Sequence, residues 1–205
     1  MPDEPATDAH ADASEVHAPH GPLPEGGTVR AITRWGTPVM HRPQQQVTTY
    51  DDALAALAAD MVATMYAADG VGLAACQIGE DVAMFVFDCP DEEGRRTVGV
   101  VCNPVLTLPE GKDRSLDDDD EGCLSYPGSF ESLARPDWAR VEGTGLDGEP
   151  VSFEGDGLLA RCLQHETDHT LGTVFGDRLS AKSRKKLAKK HDAAVEDYPL
   201  TWPAS

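Results

Sequence analysis

The chain has 205 residues, a hydrophobic fraction of 40% and a formal net charge of −19. This length suits one domain with tails, and the apolar content suffices for one sizeable core. The strong negative charge argues against a general DNA-binding protein, because the phosphate backbone would repel it. No apolar run is long enough for a membrane span. The N-terminus lacks the basic start and apolar stretch of a secretory signal, so we expect a cytoplasmic protein with no membrane partner.

Residues 1–28 are rich in alanine, aspartate, proline and histidine, and they contain no lysine or arginine. This composition predicts a disordered acidic arm. The cysteines of the chain are five in number, show no CxxC spacing, and therefore argue against a disulfide framework in the cytosol.

The first regular element predicted is an amphipathic helix over about residues 48–70. Its apolar residues recur at spacings of three and four, and Thr49 is a plausible N-cap. Valine-rich strands are predicted next, at 81–88 and 97–108, with a break at Asn103-Pro104. A hairpin that turns at Asp147-Gly148 follows. Because helices and strands do not alternate regularly, the order indicates an α+β fold.

The segment DGLLARCLQHETDHTLG, residues 156–172, predicts the helix that carries the chemistry. Residues three and four apart share a helix face, which here contains Leu158, Cys162, His165, Glu166 and His169. Two imidazoles one turn apart can reach a single ion, and a neighbouring carboxylate can serve as general base. The alternative is an ordinary amphipathic helix with these polar groups in solvent. Against it, the helix is apolar enough to be central, and buried polar groups are costly without partners.

Two further segments help to decide between a metal-binding helix and an ordinary amphipathic helix. GVGLAACQIG, residues 70–79, contains two glycines, a run of small residues and then Gln77. EGCLSYPG, residues 121–128, places Cys123 in a turn, and a thiolate is a strong ligand for zinc or ferrous iron. Taken alone, the first is also typical of a helix end that leads into a strand, and the second of a buried loop cysteine.

Together the three segments resemble the peptide deformylase family, whose motifs occur in the same order. The family motifs are GφGφAAxQ, EGCφS and HExxH, where φ is apolar, and the chain matches them at 70–77, 121–125 and 165–169. The resemblance implies a catalytic domain over residues 29–179. It also implies an α+β fold in which antiparallel sheets pack around a central metal-binding helix that carries HExxH.

The resemblance implies one divalent metal ion bound by Cys123, His165 and His169, with a water as the fourth ligand. Three protein ligands and a water are the open pattern of catalytic sites. Fe²⁺ is the metal that the family implies, and Zn²⁺ is compatible with the same ligands.

The resemblance also assigns the catalytic groups. Glu166 would take a proton from water and later pass it to the leaving amine. The side-chain amide of Gln77 and the backbone N–H of Leu124 would stabilise the oxyanion. Glu121 is implied to pair with Arg135 and so to hold the metal-binding loop.

The reaction implied is hydrolysis of the N-terminal formyl group of N-formylmethionyl nascent polypeptides, with release of formate. Gly70 and Gly72 lack side chains, so the substrate backbone is expected to lie beside them as an added strand. Further contacts with substrate are predicted at Val71, Gly122, Tyr126, Leu158 and Cys162. The acidic stretch LDDDDEG, just before the cysteine loop, is expected to repel acidic substrates.

Two other functions fit parts of this pattern. A zinc peptidase that cuts internal bonds shares HExxH but needs a third ligand downstream, and the only later histidine, His191, lies in a basic segment. A catalytically inactive relative that binds only ribosomes or peptides is the other alternative, although every catalytic group is present.

Residues 180–205 are predicted to form a basic helix and a C-terminal tail. Residues 180–191 include six lysines and arginines and no acidic residue, and Ser180 is a plausible helix cap. The lysines could simply balance the acidic body. Alternatively, Lys182–Lys190 could contact ribosomal RNA, because a basic patch is the feature that such contacts require.

Overall fold

The structure, a computed structural model, describes residues 16–204. In this range the helices are α1 (Asp52–Ala67), α2 (Gly157–Thr170), α3 (Phe175–Arg178) and α4 (Ala181–Ala194). The strands are β1 (Val16–His17), β2 (Gly72–Ala74), β3 (Met84–Pro90), β4 (Arg96–Thr107), β5 (Leu116–Gly122), β6 (Phe130–Pro136), β7 (Trp138–Thr144) and β8 (Pro150–Asp156). No helix in the described range is long and apolar enough to cross a membrane.

The strands form two sheets, as expected for a mixed α/β protein with antiparallel sheets. In the larger sheet, β2, β3, β4, β7 and β8 are antiparallel neighbours in that order, and β1 pairs in parallel with β4. The smaller sheet is the antiparallel pair of β5 and β6. β2 lies at an edge of the larger sheet, so one side of it has no strand neighbour in the described part of the chain.

Helix α1 follows the predicted apolar period but begins slightly later than Thr49. Asp51 is the N-cap, and its carboxylate accepts a hydrogen bond from the Leu54 backbone N–H at 3.0 Å. Buried residues of this helix, Met61 and Met65 among them, pack in one core cluster with β2 and β3. The helix therefore holds the edge of the larger sheet, next to the first motif.

The predicted break at Asn103-Pro104 is a bulge within one continuous strand, β4. The register to β7 shifts between Cys102 and Val105, and Asn103 has a φ of 54°. Asparagine tolerates this left-handed conformation better than most residues. Its side chain also accepts a hydrogen bond from the Val47 N–H at 2.8 Å and donates one to the Val47 carbonyl at 2.9 Å. The strand can therefore bend without losing polar partners.

Helix α2 packs against β2, β3, β4, β7 and β8 of the larger sheet. Its apolar residues Ala160, Cys162 and Leu163 belong to the core cluster formed with these strands. The last ten residues of α2 before its C-cap are almost continuously buried, and they include the polar side chains of HExxH. These polar groups must therefore find partners inside the protein.

The structure differs from the predicted disorder of residues 1–28 where it describes them. β1 pairs with β4, and the Ser152 backbone N–H donates to His20 Nε2 at 3.2 Å. The Thr28 N–H donates to Asp60 at 2.7 Å. These contacts join the arm to residues distant in sequence, which composition does not reveal. Residues 1–15 of the prediction lie outside the described residues.

The predicted helix at the C-terminus is α4, and the Ser180 hydroxyl accepts from the Ser183 N–H at 3.1 Å. Leu187 is fully buried in a cluster with Cys123, Tyr126 and Phe175. The division of the chain at residue 179 therefore does not correspond to a packing boundary, because residues beyond it form core with the cysteine loop.

Candidate active site

Three potential ligand atoms converge at one end of α2. The Cys123 sulfur lies 3.4 Å from His169 Nε2, which in turn lies 3.1 Å from His165 Nε2. All three ligand atoms lie within 4.8 Å of one another, and all three residues are buried. Two imidazole nitrogens and a thiol in such proximity form a donor set that suits a transition metal.

Local structure explains how these atoms come together. His165 and His169 are four residues apart on α2, so successive helical turns present their rings side by side. Cys123 follows the last residue of β5, and a turn closed by the Tyr126 N–H on the Cys123 carbonyl, at 2.8 Å, fixes its loop. The strand and the helix are distant in sequence and meet only in the folded chain.

Glu121 orients His165 from behind the donor set. One of its oxygens lies 2.7 Å from His165 Nδ1, so this nitrogen donates to the carboxylate and Nε2 faces the donor set. Arg135 donates two hydrogen bonds to the Glu121 carboxylate, at 2.6 and 2.7 Å, as expected. Burial opposes ionisation of Glu121, but the bonds from Arg135 and His165 outweigh it and hold its pKa well below the usual value.

Two further residues extend this support, and neither was predicted from the sequence. Arg161 donates to Glu121 at 3.1 Å and to Asp117 of β5 at 3.0 Å. Asp168 accepts from Arg135 at 3.0 Å. Arg161 lies one turn before His165 on α2, so helical spacing could have identified it.

The environments of the two histidines drive their pKa values in opposite directions. Burial favours the neutral form of His165, but its interactions with Cys123 and Glu121 outweigh burial and raise the pKa. Burial and the neighbouring His165 hold the pKa of His169 well below its ordinary value. The Nε2 atoms of the two rings are 3.1 Å apart, so they cannot both be protonated. His169 Nε2 therefore keeps its lone pair toward the donor set.

Glu166 is buried beside the donor set, and its Oε2 atom has no hydrogen-bond partner among the described residues. Burial raises the pKa of this carboxyl to about 7. A carboxyl group that can gain or lose a proton near neutral pH is suited to proton transfer. An unsatisfied buried oxygen also indicates a missing partner, such as a water or a ligand.

Gly72 brings β2 into contact with this carboxylate. A Cβ atom at Gly72 would lie 2.5 Å from Glu166 Oε1 and 2.8 Å from the Cys162 sulfur. At Gly70 a Cβ atom would lie 2.7 Å from a methyl carbon of Leu124. Both glycines therefore also make room for the protein's own side chains, and the expected approach of the substrate backbone stays a prediction.

Gln77 is held in a defined orientation by its neighbours. Its side-chain oxygen accepts from the Ala74 N–H at 2.8 Å, which turns Nε2 the other way. Nε2 lies 3.6 Å from the Cys123 sulfur and 3.4 Å from the Ser125 hydroxyl. The amide N–H groups therefore face the donor set, where an oxyanion would need them.

A cavity of about 500 Å³ opens beside the donor set. Its wall contains His165, Glu166, Gln77 and Leu124. It also contains most of the residues predicted to contact substrate, namely Gly70, Val71, Gly72, Gly122, Leu158 and Cys162.

Tyr126 is the exception among the predicted substrate contacts. Its ring stacks on Trp35 at 5.0 Å, meets the ring of His191 at 4.7 Å, and is 3% exposed. The turn after Cys123 directs this side chain toward α4 instead of the cavity. The cavity instead includes Tyr198 and Trp202, from the C-terminal tail, which the sequence analysis did not anticipate.

Comparison with known proteins decides the family. The model of the polypeptide deformylase family matches residues 29–185. The chain belongs to the peptide deformylase family. As a peptide deformylase, it removes the N-formyl group from nascent peptides. This activity replaces the alternative of an HExxH peptidase that cuts internal bonds.

Individual relatives agree with this assignment over most of their length. Peptide deformylase 1 of Streptomyces avermitilis is 47% identical over 189 residues, 92% of this chain and 88% of the relative. Peptide deformylase 2 of Corynebacterium efficiens is 49% identical, covering 85% and 93%. The crystal structure of a deformylase from Legionella pneumophila superposes with a TM-score of 0.74 at 35% identity, covering 82% and 96%.

Proposed function

We propose that Cys123, His165 and His169 together hold one divalent metal ion, and that Glu166 is the proton carrier of the deformylation reaction. The observation that carries this proposal is the convergence of the three ligand atoms within 4.8 Å, next to a buried carboxylate with an unpartnered oxygen. The donors suit Fe²⁺, the metal implied by the family motifs, and also Zn²⁺.

The metal, when bound, supplies a Lewis acid that lowers the pKa of a water molecule and polarises a carbonyl oxygen. The protein supplies the proton transfer and the geometry. Glu166 takes a proton from the attacking water and returns it to the amine that leaves. Glu121 and Arg135 keep His165 in the orientation that its role as a ligand requires.

We propose that Gln77 and the Leu124 backbone N–H stabilise the negative oxygen that forms on the formyl group. The support for Gln77 is its fixed amide, with Nε2 facing the Cys123 sulfur at 3.6 Å. Donors that are already oriented need no rearrangement as charge develops, and such preorganisation is a large part of catalysis.

We place the substrate peptide along the free edge of β2. Gly70, Val71 and Gly72 line the cavity on this edge, and backbone pairing would hold an extended peptide regardless of its sequence. Leu158 and Cys162 are the apolar wall available for the methionine side chain. Leu158 is 42% exposed, so a ligand can cover it. Nascent peptides are substrates available in the cytoplasm, which is where we expect the enzyme to act.

The direct test is to purify the protein without air, measure its metal content, and assay formate release from formyl-methionyl peptides. We expect close to one metal per chain and hydrolysis only of formylated peptides. A metal-replete protein that releases no formate would overturn the proposed roles and favour an inactive relative.

Replacing Gln77 with leucine should lower kcat by about 10²-fold, the usual effect of removing one oxyanion donor. The substitution retains the three proposed metal ligands, so we expect the metal content to stay that of the wild type. Single-turnover formate release, measured beside metal content, separates this effect from loss of the site. Near wild-type turnover in a folded, metal-loaded variant would remove Gln77 from the mechanism.

We also propose that α4 contacts the ribosome through an exposed basic stripe. Lys186 and Lys190 bind Glu131 at 2.9 and 3.1 Å, which supports charge balance as the role of these two. The remaining lysines of the helix, at spacings of three and four, are exposed and share one face: Lys182, Lys185 and Lys189. Such a stripe is available to phosphates.

Neutralising Lys182, Lys185 and Lys189 with glutamine should weaken ribosome co-sedimentation, and the wild-type binding should fall steeply with salt. Truncation at residue 179 would be unsuitable, because Leu187 is part of the core. In the control, Arg42, Arg95 and Arg140 are replaced with glutamine. This variant has the same net charge as the stripe variant, but the changes lie outside α4. If the stripe variant, the control and the wild type co-sediment equally, charge balance would be the only role left for the lysines of α4.

A further inference from the structure

The C-terminal tail returns from α4 to the wall of the active-site cavity. The Arg34 guanidinium donates to the carbonyls of Tyr198 and Pro199, the latter at 3.1 Å. The Ile32 N–H donates to the Trp202 carbonyl at 2.9 Å. The two aromatic rings of the tail meet edge to face, with centroids 5.0 Å apart. The tail is therefore held by hydrogen bonds to its backbone carbonyls, from the Arg34 side chain and the Ile32 N–H, and by its own ring packing.

Both aromatic residues of the tail line the same cavity as His165 and Glu166. Tyr198 packs over Gly128, where a Cβ atom would lie 3.0 Å from its ring. Trp202 packs against the core cluster that also contacts Leu124. Gly128 and Leu124 both belong to the loop after β5, so the tail extends the wall that begins at the metal-binding loop.

The cavity is larger than its catalytic part requires. Its volume of about 500 Å³ is in the range of sites that enclose a ligand of several residues' size. The formyl group must lie near Glu166, and the methionine side chain has its apolar wall at Leu158 and Cys162. The cavity wall also offers aromatic surface beyond that used by the formyl group and the methionine side chain. This surface comes from Tyr198, Trp202 and Phe130, the last of which is 56% exposed.

From these contacts we infer that Tyr198 and Trp202 bind the part of the nascent peptide that follows formylmethionine, with preference for apolar or aromatic side chains. This inference rests on the deformylation activity and adds a subsite formed by the C-terminal tail. Aromatic rings offer a large apolar area with little side-chain freedom to lose on binding. The carboxylates of Asp69 and Asp120, on the same wall, add a bias against acidic residues.

The test compares a short substrate, formyl-Met-Ala, with a longer apolar one, formyl-Met-Leu-Phe, on full-length, metal-loaded protein. Tyr198→Ala and Trp202→Ala should raise KM for the longer peptide roughly 3- to 10-fold, the scale of one aromatic contact. We expect kcat for both peptides and KM for the short one to change less than twofold. Trp138→Ala is the control, because Trp138 lies on β7 and packs with Arg140.

Conservative variants keep the test valid if an alanine variant fails to fold. Tyr198→Phe and Trp202→Phe should restore most of the affinity for the longer peptide. An equal rise in KM for both peptides, or no rise for either, would overturn the inference. If wild-type protein hydrolyses neither peptide, the deformylation itself fails, so the two failures are distinguishable.

Binding without turnover gives an independent measurement. In a Glu166→Gln chain that also carries Trp35→Phe and Trp138→Phe, Trp202 is the remaining tryptophan. Its fluorescence should change on titration with formyl-Met-Leu-Phe and much less with formyl-Met-Ala. Fluorescence that does not respond to the longer peptide, at concentrations well above its KM with wild-type protein, would also overturn the inference.

Discussion

Replacing Cys123 with alanine should abolish both metal retention and formate release. The thiolate is one of only three protein ligands proposed for the metal, so its loss leaves two imidazoles and weakens binding by many-fold. The side chain is 8% exposed and small, so alanine leaves little empty volume. The measurement is metal content after anaerobic purification and dialysis, together with formate release from formyl-methionyl peptides.

Cys102→Ala is the matched control for this prediction. Cys102 is also a buried free thiol, but it lies on β4 in the core cluster next to α1. We expect this control to keep its metal and activity. Loss of metal and activity in Cys123→Ala can then be attributed to removal of a metal ligand. Full metal content and activity in Cys123→Ala would show that the ligand assignment is wrong.

Local sequence pattern was sufficient to predict α2, the helix that carries three of the proposed site residues. The spacing on α2 correctly predicted that His165, Glu166 and His169 share a buried face, because helical geometry alone determines which residues are neighbours. The hairpin at Asp147-Gly148 also follows from local turn chemistry. That Cys123 joins the histidines came from the resemblance to a family, because no local pattern relates a loop to a helix about forty residues later.

The features that the sequence did not reveal depend on contacts between distant segments. Tyr126 faces α4 because Trp35 and His191 pack on its ring, and both are far from it in sequence. The tail reaches the cavity because Arg34 and Ile32 bind its carbonyls. The acceptors in the tail are backbone carbonyls, which every residue type offers, so these bonds leave no signal in the sequence of the tail.

A glycine such as Gly72 can make room either for a substrate backbone or for a side chain of the protein itself. Glycine beside an active site indicates close approach of some group, but the sequence does not say which. Here the approaching group is Glu166, whose carboxylate would collide with a Cβ atom at position 72. The position of Glu166, the proposed proton carrier, is therefore set by the edge strand as well as by α2.

Replacing Glu166 with glutamine should leave the metal in place and lower formate release by about 10²- to 10⁴-fold, the usual contribution of general acid–base catalysis. Glutamine has nearly the same shape, so it fits between α2 and Gly72 without a new collision. Its amide cannot accept the proton of the attacking water, whereas the carboxylate has a pKa of about 7 and an unpartnered oxygen. The measurement is single-turnover formate release at equal metal content.

The pair of variants separates binding of the metal from proton transfer. Cys123→Ala should lose metal and activity together, whereas Glu166→Gln should lose activity alone. Glu154→Gln is the control for the loss of one carboxylate, since Glu154 of the edge strand β8 pairs with Arg140 of the neighbouring strand β7. Glu166→Gln with near wild-type turnover would assign the proton transfer to another group. Loss of metal from Glu166→Gln would instead make the carboxylate part of the metal site, because a proton carrier that does not bind the ion leaves its affinity unchanged.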